Sequence, residues 1–152
     1  QRDRFRRHIA AARKAGKPLI IHARDAESAA LEILREEKAG DLGFVMHCFC
    51  GSLETAEGVV NAGGHVSFTG NLTFKKNEAL REIAGKIPLE RLLIETDSPY
   101  MAPVPFRGKR CEPVYSREVA RAIAAAKGLE FDEVLLATAQ NTVRLFRLPI
   151  AV

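Results

Sequence analysis

The amino-acid sequence predicts an α/β fold built on four parallel strands. Short apolar runs centred on Ile20, Val45, Phe68 and Leu93 lie 25, 23 and 25 residues apart. The segments between them place apolar residues at helical spacing, and Gly or Pro punctuates the joins. Strand–helix units at that period imply parallel strands joined by right-handed crossovers.

The elements follow in order. Residues 3–15 read as an amphipathic helix, with Phe5, Ile9 and Ala12 on one face and Gly16 ending it. Leu19-Ile20-Ile21 is the first strand, running into His22. Asp25 is the expected N-cap of a helix over about 26–38, with Ala30, Ile33 and Leu34 inward and Gly40 closing it. Residues 43–46 form the second strand, ending at His47, and Ser52 caps a helix to about Asn61 with Ala56, Val59 and Val60 inward. After Gly63-Gly64 comes the third strand, His65 to Thr69, then a short helix capped by Asn77 and carrying Leu80, Ile83 and Ala84. Leu92-Leu93-Ile94 is a strand apolar on both faces. A proline-rich loop spans 98–113, and two helices finish the chain. The first covers about 115–127, with Val119 and Ile123 inward. The second covers about 133–147, capped by Asp132, with Leu136, Ala139, Val143 and Phe146 inward.

At 152 residues, 47% apolar and 28% charged, the chain has the composition of one soluble globular domain. No apolar run approaches the ~20 residues of a membrane helix, so no membrane association is expected. No signal peptide is visible around Arg2, Arg4, Arg6 and Arg7. Three cysteines, Cys48, Cys50 and Cys111, do not make a disulfide framework and fit a reducing, cytoplasmic setting. A net charge of +4 permits a polyanionic substrate without demanding one.

Three of the four strands end in potential metal ligands, His22, His47 and Asp97. In parallel sheets the carboxyl ends of the strands are where ligands and metals bind. Imidazole and carboxylate donors suit zinc, manganese or other divalent ions, and a His2Asp set leaves room for water. The competing reading is that each histidine is an ordinary strand-end residue and Asp97 caps the turn before Pro99. Glu95 points to the same side as Asp97, either orienting a ligand histidine or joining an internal ion pair. Arg24, two residues beyond His22, is placed to meet an anionic group or to pair with Glu95 or Asp97. His65 opens its strand and belongs to the opposite rim, and His8 faces solvent. Cys48-Phe49-Cys50 lacks zinc-knuckle spacing, so Cys48 is expected to be buried and apolar in role. Arg107, Lys109 and Arg110, beside Phe106, form a basic turn that either holds phosphates and stacks a base or is simply solvated.

With these residues laid out, the chain resembles the C-terminal part of a TatD-family metal-dependent deoxyribonuclease. The matching motifs are Pro18-Leu19-Ile20-Ile21-His22-Ala23-Arg24-Asp25-Ala26, Met46-His47-Cys48-Phe49 and Glu95-Thr96-Asp97-Ser98-Pro99-Tyr100-Met101-Ala102-Pro103. The segments 105–113 and 141–146 extend the match to the end of the chain. The resemblance implies a TIM-type (βα)8 barrel of the metal-dependent hydrolase kind. This chain would be a single domain over 1–152 forming its C-terminal half, with the four strands as the fifth to eighth. It further implies a divalent metal (zinc, magnesium or manganese, one ion or two) at His22, His47 and Asp97, and DNA as substrate; a carboxylate at a metal can also take a proton from water, which makes Asp97 the expected catalytic residue.

The chain departs from the family pattern in four places. The family's first-strand His-x-His pair and the Glu ending its fourth strand have no counterpart here. Phe106 stands where a His is usual, and Cys50 where a Thr is usual. Four strands cannot close a barrel, so the chain is expected to be a fragment or to pair with another segment or copy. Two other functions remain open at this stage: an amide or ester hydrolase on the same barrel, and a catalytically silent half-barrel that binds nucleic acid or a partner chain.

Overall fold

The four expected strands form one parallel sheet in sequence order: β1 (Leu19–His22), β2 (Phe44–His47), β3 (His65–Phe68) and β4 (Leu92–Ile94). The computed structural model describes residues 1–152. Six helices accompany the sheet: α1 (Arg2–Ala15), α2 (Glu27–Glu36), α3 (Leu53–Asn61), α4 (Glu78–Lys86), α5 (Ser116–Lys127) and α6 (Phe131–Phe146).

Alternation along the strands divides the side chains between two faces. Ile21, Phe44, Met46, Val66, Phe68 and Leu92 point to the helical layer, where they pack with Ile9, Leu34, Val59, Ala84 and Ile123. Full burial of each large side chain contributes roughly 1.5–3 kcal/mol, so this layer supplies most of the cohesion. The opposite face carries Val45 and Leu93, covered by Leu145 and Phe146 from the end of α6. Ile20 lies on the same face of edge strand β1 and is 63% exposed. Register fixes what meets at the carboxyl rim: Ile20 pairs with Val45 and, one repeat on, His22 pairs with His47.

Ser52 caps α3 as expected, its hydroxyl accepting from the Thr55 N–H. Gly16 and Gly128 end α1 and α5 in the left-handed conformation that favours glycine. Other expectations need correction. Asp25 is not the cap of α2: its φ is +55°, and Ala26 holds the cap position without a side-chain bond. Asn77 is at the cap of α4, but its amide donates to the Asn71 carbonyl instead. Glu130, not Asp132, precedes α6. Gly40 sits within a separate 3-10 turn (Ala39–Asp41) rather than closing α2.

The buried stripe of α6 is also displaced. Val134, Thr138, Asn141 and Leu145 face inward, whereas Leu136 is 50% exposed. Two of those buried positions are polar and therefore escape a hydrophobic count. Thr138 is satisfied by the Val134 carbonyl, and the Asn141 amide donates to the carbonyls of Leu89 and Leu92.

Candidate metal centre at the carboxyl rim

His47 ends β2 and sits between two carboxylates from the far end of β4. Its Nδ1 donates to Glu95 Oε2 at 2.7 Å, and its Nε2 lies 3.3 Å from Asp97 Oδ1. The other oxygen of Glu95 accepts from the Cys48 N–H, also at 2.7 Å. That backbone group is free for Glu95 because the chain leaves the strand at Cys48, whose φ is +48°. Glu95 itself is held by its N–H donating to the Phe68 carbonyl.

The bond to Glu95 assigns the Nδ1 proton, which leaves Nε2 facing Asp97. A neutral imidazole would then present a lone pair to a carboxylate, an arrangement that calls for a proton or a cation between them. Two tetrahedral ligands, each about 2.0–2.1 Å from one ion, stand about 3.3 Å apart. The His47–Asp97 pair therefore has the spacing of a shared divalent ion, and its donor chemistry fits one.

His22 stands alongside, its ring centroid 5.8 Å from that of His47 and tilted by 44°. No group of three or more His, Cys, Asp or Glu side chains is arranged to hold an ion as it stands. The three residues expected as ligands are thus at one rim, but only His47 and Asp97 stand within 3.3 Å of each other. The reason is position: His22 is exposed on an edge strand, and no side-chain partner fixes its ring.

The outlying residues fall as follows. Arg24 is exposed and makes no ion pair, so the expected alternative of a bridge to Glu95 or Asp97 does not form. The arginines of α1 are largely engaged instead, Arg2 with Glu32 and Arg6 with Glu36 and Glu37. Arg107 lies over the Phe74 ring, 3.7 Å from its centroid. Phe106 stacks on Tyr115 at 4.0 Å with the rings 2° apart. Neither Lys109 nor Arg110 pairs with a carboxylate.

Cys48 is only half-buried and does not have the apolar role expected of it. Its sulfur is 3.6 Å from Thr69 Oγ1, and Thr69 in turn donates to Asn71 Oδ1. The Asn71 amide donates to the Cys50 sulfur at 3.1 Å. Hydrogen bonding with Cys50, then burial, pushes the Cys48 thiol up; the same bond pulls the exposed Cys50 down. The sequence does not single out Thr69 and Asn71, because β3 ends in neither His nor Asp. Their signal is the Thr-Gly-Asn that begins the loop. Gly70 is required there, since a Cβ would lie 2.1 Å from the Met101 carbonyl oxygen and 3.0 Å from Pro103 N. The proline-rich loop is thereby seated against the head of β3.

His65 occupies the amino end of β3, on the opposite rim as expected. It is 9% exposed, and its Nδ1 has no partner. It lines a cavity of about 380 Å³ shared with Arg91, Arg144 and Arg147. Burial, then Arg91 and Arg144, lower its pKa, while the Phe44 carbonyl acts the other way.

The profile of the family described as TatD related DNase matches residues 1–147. YcfH of Escherichia coli K12, described as an uncharacterized metal-dependent hydrolase, is 47% identical over 148 residues, covering 97% of this chain and 56% of YcfH. The human 3'-5' RNA nuclease TATDN2 is 34% identical over 149 residues, which are 95% of this chain and 20% of that protein. The crystal structure of YJJV, a TatD homolog from Escherichia coli K12, superposes with a TM-score of 0.85 at 30% identity, over 93% of this chain and 54% of YJJV. The chain thus spans little more than half the length of the bacterial relatives it matches. The end-to-end profile match and the identity to YcfH carry one conclusion: the chain belongs to the TatD-related family, whose members include metal-dependent hydrolases.

Proposed function

We infer that this chain is the C-terminal half of a TatD-type (βα)8 barrel and carries part of the metal centre of a nucleic-acid phosphodiesterase, with single-stranded DNA as the first substrate to test. The observation behind the hydrolase reading is His47 held between Glu95 and Asp97, with His22 in register beside it. The half-barrel reading rests on the two open sheet edges, on exposed Ile20 and on the share of YJJV that is matched. The remaining strands would come from the rest of the protein or from a second copy.

His22, His47 and Asp97 would hold the divalent ion, which supplies Lewis acidity toward a phosphoryl oxygen. The chain's own residues do the rest. Glu95 fixes the tautomer and ring plane of His47, so that Nε2 is the donor atom. Asp97 turns one oxygen to His47, and its other oxygen accepts a proton from the attacking water. Arg24, Arg107 and Lys109 orient the phosphate. The basic turn, whose cations have no carboxylate partner, favours a phosphodiester, which is anionic at every linkage, over an amide or ester, whose scissile group is neutral in the ground state.

In the full-length protein, Asp97→Asn should abolish hydrolysis of single-stranded DNA, and retained hydrolysis would refute the assignment. The same preparation assayed on single-stranded RNA decides between the two nucleic acids, a comparison motivated by the activity of TATDN2. Hydrolysis of small amides with neither nucleic acid cleaved would move the function to the alternative bond.

A further inference from the structure

We propose that the cavity beside the Asp97 turn is a nucleobase subsite, in which the ring of Tyr100 stacks a base of the bound single strand. This rests on the nucleic-acid reading above and adds what that reading leaves open, the group that holds the base. The cavity measures about 370 Å³, within the roughly 300–1,000 Å³ of small-ligand sites. Phe74, Tyr100, Met101, Arg107 and Lys109 are among the residues that line it.

Three features give it the chemistry of a nucleotide site. Tyr100 is 75% exposed, a large aromatic left in water on a turn that is otherwise well fixed. Its N–H donates to the Asp97 carbonyl at 2.7 Å, and the preceding Pro99 carbonyl accepts from the Cys111 N–H at 3.0 Å. The backbone that carries the ring is thus fixed three residues from the carboxylate at the candidate metal centre. Arg107, its guanidinium carbon 3.7 Å from the Phe74 ring centroid, forms a cationic wall of the same cavity. Lys109 adds an ammonium without a carboxylate partner, suited to a backbone phosphate.

The sequence pointed to a different aromatic. Phe106 adjoins the basic residues in the chain, but one face of its ring is taken by Tyr115. That stack braces the loop, and the exposed ring is Tyr100. Stacking on an aromatic is tolerant of base identity, because every base has a π-face. The subsite should therefore favour single strands over duplex, whose bases are already stacked, with little preference among the four bases.

The test uses the full-length protein and a short single-stranded oligonucleotide in which an abasic residue is moved one position at a time. Tyr100→Ala should raise KM on the intact strand about 5- to 100-fold, and Tyr100→Phe should restore it. At one abasic position the wild type and Tyr100→Ala should become equal to within about twofold. If Tyr100→Ala has no effect, or loses the same factor at every abasic position, the subsite is overturned. Fluorescence anisotropy with a labelled strand in EDTA separates this from the underlying reading. Binding that weakens with Tyr100→Ala, by a protein that cleaves nothing, keeps the subsite and removes the nuclease. A wild type that binds no single strand removes the subsite itself.

Discussion

Two histidines on adjacent strands occupy opposite rims of the sheet, and their surroundings differ in kind. His47 closes β2 with both ring nitrogens facing carboxylates. His65 opens β3 with one nitrogen unpartnered, in the company of three arginines. Negative charge gathered around an imidazole prepares a place for a cation. Positive charge and burial around an imidazole keep it neutral. The same side chain is thus a ligand candidate at the carboxyl rim and a neutral lining group at the amino rim.

The largest expected separation between them is in activity. His47→Ala in the full-length protein should lower hydrolysis by more than about 100-fold, exceeding the loss usual for an outer partner of a metal site. His65→Gln should change it less than about twofold. Steady-state rates on one substrate check both, and a comparable loss from each would erase the distinction between the rims.

A smaller effect belongs to the group behind His47. Glu95→Gln keeps the shape but weakens the hold on Nδ1, and should cost about 10- to 100-fold in metal affinity. Titration calorimetry with zinc or manganese reads this directly, and an unchanged affinity would mean that Glu95 does not set the tautomer.

The smallest effect is on stability against pH. The pKa of His65 is held below its ordinary value of 6.5, so the folded chain keeps the ring neutral while the unfolded chain takes up a proton. The unfolded state then binds more protons, and stability rises with pH. The contribution of His65 is complete above about 6.5 and falls as the pH drops below it. His65→Gln should flatten that part of the curve in urea unfolding between pH 5.5 and 7.5, an interval of roughly that window. An unchanged slope would place the titration elsewhere.

The sheet was legible in the sequence because its signals are local. Apolar runs at near-equal intervals mark the strands, and Ser52 and Gly16 mark helix ends. The gathering of His22, His47 and Asp97 at one rim follows from strand direction alone. What escaped depends on hydrogen bonds, backbone angles and packing that a count of apolar residues does not contain. Thr138 and Asn141 are buried because carbonyls accept from them, which no hydrophobic count detects. Asp25 has the right chemistry for a cap but a backbone turned the wrong way. Phe106 adjoins the basic residues in sequence, yet a contact with Tyr115 decides its role. Sequence proximity ranked the aromatics one way, and packing ranked them another.

Glu95 has a mechanical consequence beyond the imidazole it orients. It starts from the end of β4 and grips both the ring and the following backbone N–H at the end of β2. β3 lies between those two strands, so the carboxylate acts as a strap over its head. Such a strap resists sliding of β2 against β4. The stiffness of the rim then depends on a residue that need not touch substrate. Sliding of the two strands would change the gap between His47 and Asp97, because one residue ends β2 and the other follows β4.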